Sequence, residues 1–126
     1  MGPTRVDMSV AAVLRFPGNV LALIDASFVA PFRTEVEVVG STGTIRVSHP
    51  FKPAQRETVL VVRGDEVLEH VVEAAPLYVS QFEDFGRAAR GDADPVVTLA
   101  DSRANTAALL AVLEAARSGH TVRPSA

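Results

Sequence analysis

The chain has 126 residues, 48% of them hydrophobic and 21% charged, with a formal net charge of −3 and no cysteine. Such a length fits one domain able to bury roughly two-thirds of its unfolded surface, and the composition is far from the highly charged, weakly apolar signature of disorder. The missing cysteine excludes disulfides, thiolate chemistry and sulfur-ligated metals and fits a cytoplasmic setting. Eleven arginines and the single Lys52 are scattered along the chain, so there is no basic stripe for nucleic acid. No segment has the apolar length of a membrane helix, and Met1 to Arg5 carries no apolar leader.

From Val6 to Phe16 the residues alternate, with Met8, Val10, Ala12, Leu14 and Phe16 on one face, which predicts a long strand. Pro17-Gly18-Asn19 reads as a turn, and Val20 to Val29 resumes the alternation, so the two segments are expected to pair as a hairpin. Strands over about Thr34 to Val39 and Thr44 to Ser48 flank Gly40-Ser41-Thr42-Gly43, whose glycines are expected to supply positive φ angles. After the proline-punctuated loop His49 to Pro53, strands Thr58 to Arg63 and Val67 to Val72 meet through Gly64-Asp65, with Arg63 facing Glu66.

The texture then becomes helical. Tyr78, Phe82, Phe85 and Ala89 recur at helical spacing, and Gly91 suits the position just past the end, which predicts a helix over Leu77 to Arg90. Thr98 and Asp101 suit the first turn of a second helix running to about Ser118, apolar over much of its circumference. Six strands followed by two helices give an α+β fold: one domain over residues 1–126, a mainly antiparallel open sheet with both helices packed on one face. The outer face of the first hairpin carries Ala11, Val13, Leu21 and Leu23, too apolar to be left in water, so a covering partner is expected.

Several polar motifs look chemical but have plainer explanations. Lys52 in Phe51-Lys52-Pro53 reads as a loop lysine, and His49, His70 and His120 lack metal-ligand spacing, so no metal site is expected. Asp92, Asp94 and Asp101 suit turns and caps between helices. Arg63-Gly64-Asp65 is a hairpin reversal, not an adhesion signal.

The ordered pieces Leu14-Arg15-Phe16-Pro17-Gly18-Asn19-Val20, Ile24-Asp25-Ala26-Ser27-Phe28, Val36 through Ile45, and His49-Pro50-Phe51 carry a resemblance. Tyr78, Phe82 and Phe85 before Gly91, Pro95 before Leu99 and Asp101, and the closing Ala115-Ala116-Arg117-Ser118-Gly119 continue it. Together they resemble the C-terminal domain of the glucose-fructose oxidoreductase, inositol dehydrogenase and rhizopine-catabolism family, written Gfo/Idh/MocA. The resemblance implies a sugar or polyol oxidoreductase using NAD or NADP. It also implies a homo-oligomer formed through the sheet face, with Val13, Leu21 and Leu23 as interface candidates, and Phe32 and Arg33 as neighbours of the substrate.

The family's cofactor site lies in an N-terminal Rossmann domain, and no strand-linked G-x-G-x-x-G stands in these residues. The family's Glu-Lys-Pro element and its Asp and His one helical turn apart are missing as well. No catalytic or cofactor-binding residue is therefore expected here, and the chain alone is expected to be silent. Two roles follow: a detached substrate-side and oligomerisation domain that needs a Rossmann domain, or a stand-alone binding or regulatory module paired with a full-length paralogue.

Overall fold

The computed structural model of the chain describes residues 6–73, 76 and 78–125. Six strands come first: β1 (Ser9–Arg15), β2 (Leu21–Ser27), β3 (Val36–Val39), β4 (Thr44–Val47), β5 (Arg56–Arg63) and β6 (Glu66–Glu73). Two helices follow, α1 (Val79–Arg90) and α2 (Leu99–Ser118). The α+β class expected from the alternation and helical spacing is what the chain adopts. Leu77, the expected start of the first helix, lies outside the described residues.

All strand pairings are antiparallel, but the strands divide between two sheets where the order of six successive strands predicts one: β1-β2, and β3-β4-β5-β6. The cause lies in residues 28–35, which form no strand and contain Pro31, whose missing amide hydrogen interrupts a ladder. Two compact units result: Met1–Phe32 with Leu99–Ala126, and Arg33–Thr98. Within them, the main contacts between elements are those of neighbouring strands.

The hairpins show how local chemistry sets register. Gly18 (φ 75°) and Asn19 (φ 61°) reverse the chain between β1 and β2, residue types that adopt left-handed backbone at little cost. Arg63 pairs with Glu66 across Gly64, as the charge pattern predicts. The Gly40–Gly43 turn corrects an expectation, because neither glycine has a positive φ. Gly43 is required by space instead: a Cβ there would stand 2.5 Å from the Val62 carbonyl oxygen.

Helix α1 ends at Gly91 (φ 75°), where the Gly91 and Asp92 amides donate to the Ala88 and Arg87 carbonyls, a left-handed cap that satisfies the last turn. The Asp84 carboxylate accepts the Val96 amide at 3.1 Å and faces Arg87 at 3.5 Å, tying the following loop back to the helix. Among the described residues no side chain is fully buried. The best-covered strand is β5, half-buried over residues 57–62 and lying inside its sheet between β4 and β6.

Candidate functional site

Register brings the predicted interface residues together. In an antiparallel pair, directly opposed residues share a face, and β1-β2 opposes Ser9 to Ser27, Ala11 to Asp25, Val13 to Leu23 and Arg15 to Leu21. Val13 (66% exposed), Leu23 (79%) and Leu21 (53%) form a contiguous apolar patch in solvent. The opposite face carries Val10, Ala12, Leu14 and Ala22, all half-covered. The patch is closed at one end by a hydroxyl pair, Ser9 Oγ to Ser27 Oγ at 2.7 Å.

Ser27 also positions the segment that follows. Its Oγ accepts the Val29 and Ala30 amides at 3.2 Å each, while the Phe28 amide donates to the Met8 carbonyl at 2.9 Å. Phe32, 82% exposed, ends the first unit, and Arg33 opens the second.

The four-stranded sheet holds a second apolar face that strand-by-strand reading missed. Val38, Ile45, Val61 and Leu68 lie in one cross-strand row, with Val36, Val47, Val59 and His70 in the next. The apolar residues were visible in each strand, but only the register aligns the rows. The other face is salted by Glu37–Arg46 at 2.8 Å and Arg56–Glu73 at 3.2 Å, exposed cross-strand pairs that fix register more than they stabilise.

A polar pair sits at the edge of the apolar face. The Glu57 carboxylate accepts the Ala54 amide at 2.6 Å and meets His49 Nδ1 at 3.2 Å. The Ala54 amide, aided by His49, holds the Glu57 carboxyl below the ordinary glutamate value against the opposing effect of burial. The pair pins the loop between β4 and β5; Lys52 lies in that loop with its neighbours exposed. Among the described residues no group of three or more His, Asp or Glu side chains could hold a metal ion. No helix there is long and apolar enough to cross a membrane.

The described residues hold no glycine arrangement that fits a dinucleotide. Of the glycines with positive φ, Gly18 and Gly64 lie in hairpin turns while Gly91 and Gly119 follow helix ends. None opens a helix after a strand, so the described residues build no phosphate cradle of the Rossmann kind.

The strands and helices thus define an α+β chain with two antiparallel sheets. Residues 1–46 match the family model of the GFO/IDH/MocA C-terminal domain; this stretch, which spans β1, β2, β3 and most of β4, is similar to part of that domain. The resemblance carried by the motifs from Leu14 to Ile45 is borne out there, whereas the motifs from His49 onward lie beyond the match. No match was found among curated proteins or among solved structures.

Proposed function

We propose that this chain is the substrate-side and assembly portion of a nicotinamide-dependent oxidoreductase acting on a sugar, polyol or related small molecule in the cytoplasm. The observation that carries the proposal is the family match over residues 1–46, which falls on the hairpin exposing Val13, Leu21 and Leu23. Burying that patch removes three large aliphatic side chains from water, worth on the order of 1.5–3 kcal/mol each when complete. Self-association through the sheet face is the corresponding role.

Hydride transfer needs a nicotinamide held against the substrate carbon and a group that manages the hydroxyl proton. NAD or NADP would be held by a Rossmann domain or a full-length paralogue, and this chain would contribute Phe32 and Arg33 at the edge of the substrate pocket. The test is a fluorescence titration of the isolated chain with NADH and NADPH. The proposal expects no saturable binding of either; tight binding by this chain alone would overturn it.

A further inference from the structure

Helix α2 carries a self-complementary stripe that neither the family match nor the sheet faces use. Arg103, Ala107, Leu110 and Glu114 follow one another at spacings of four, three and four residues within α2, so they form one line along the helix. A base stands at one end, an acid at the other, with a small and a large apolar residue between. Leu110 is 61% exposed, and the structure gives neither Arg103 nor Glu114 an ion-pair partner among the described residues. An open cleft of about 800 Å³ runs along this face, bounded on one side by Val122 and Arg123 of the C-terminal segment.

We propose that α2 is a docking surface for the α2 helix of a second copy of this chain, in antiparallel orientation. With a two-fold axis midway between Ala107 and Leu110, Arg103 meets the partner's Glu114, Ala107 meets the partner's Leu110, and both pairs repeat by symmetry. A parallel, in-register pair would set arginine on arginine and glutamate on glutamate. The small Ala107 opposite Leu110 allows the helix axes to approach to about 8–10 Å. The two ion pairs are spaced by roughly 16 Å along the helix, from eleven residues at about 1.5 Å each.

A single helix pair is at the low end of specific interface sizes, so the contact is weak by itself and is best read by trapping. It lies on a different element from the Val13–Leu23 patch, so the two interfaces fail independently. The absence of cysteine makes the trap clean: Ala107→Cys and Leu110→Cys chains are mixed in equal amounts, oxidised, and the disulfide-linked dimers separated by mass. Random encounter gives the mixed dimer in half of the product; the proposed register makes it dominant. Adding Arg103→Glu to both chains is expected to return the mixed share toward the statistical half, since loss of two exposed ion pairs weakens the register roughly tenfold. Combining Arg103→Glu with Glu114→Arg is expected to restore it, and Leu23→Glu to leave it unchanged. A statistical product ratio, or a yield indifferent to charge reversal, would overturn the proposal.

Discussion

Replacing Gly43 by alanine is expected to damage the four-stranded sheet, while the same change at Gly40 is expected to be harmless. Both glycines flank one turn and neither has a positive φ, so strain in the backbone angles does not separate them. Space does: the new Cβ at position 43 would lie 2.5 Å from the Val62 carbonyl oxygen and 3.0 Å from Arg63 Cγ, whereas at position 40 it would meet the Gly43 oxygen at an ordinary 3.5 Å. The Arg63 side chain can swing away, but the Val62 carbonyl belongs to β5 in the Thr44–Val62 pairing and must shift by nearly 1 Å to reach a normal contact.

Overpacking of that kind costs about 1–3 kcal/mol. Gly40→Ala carries no clash and narrows the unfolded ensemble, a gain of about 0.4–1 kcal/mol where the conformation is compatible. For a chain of this size a kilocalorie moves Tm by roughly 3–6 °C, so thermal unfolding followed by circular dichroism resolves the two variants. Equal Tm values for Gly43→Ala and Gly40→Ala would refute the argument from close approach.

Two further outcomes follow from the hydrogen bonds. Asp84→Ala removes the acceptor of the Val96 amide and the partner of Arg87; a loss of about 1–2 kcal/mol is expected in urea unfolding, with hydrogen exchange at Val96 accelerated. Glu57 has a folded pKa below its unfolded value, so its contribution to stability is complete above the ordinary glutamate range and is lost as pH falls through the lower folded value. Carboxyl titration by NMR should place Glu57 below the ordinary glutamate value, and Glu57→Gln should flatten this part of the pH dependence of stability.

The residues that announced themselves in sequence are those whose signal is local. Alternation marked the first two strands, turn residues bracketed the other four, Gly91 marked the end of α1, and Arg63 with Glu66 marked the third hairpin. The patch of Val13, Leu21 and Leu23 was also legible, because strand period and turn position together place them on one face. What escaped depends on relations between distant segments. The apolar rows of the second sheet become a surface only once the β3-β4-β5-β6 register is set. Gly43 looked like a φ-determined turn residue because nothing near it in sequence discloses the Val62 carbonyl above it. The division into two sheets turns on residues 28–35, whose composition signals a loop without saying whether the sheet resumes beside it.

The central claim, that the exposed face of the β1-β2 hairpin is an assembly surface, is tested most directly by the solution mass of the chain and of its Leu23→Glu variant. Light scattering across a concentration series should show the unaltered chain as a dimer or larger species and the variant shifted toward monomer. A chain that is monomeric throughout, or an oligomer that Leu23→Glu leaves intact, would contradict the account.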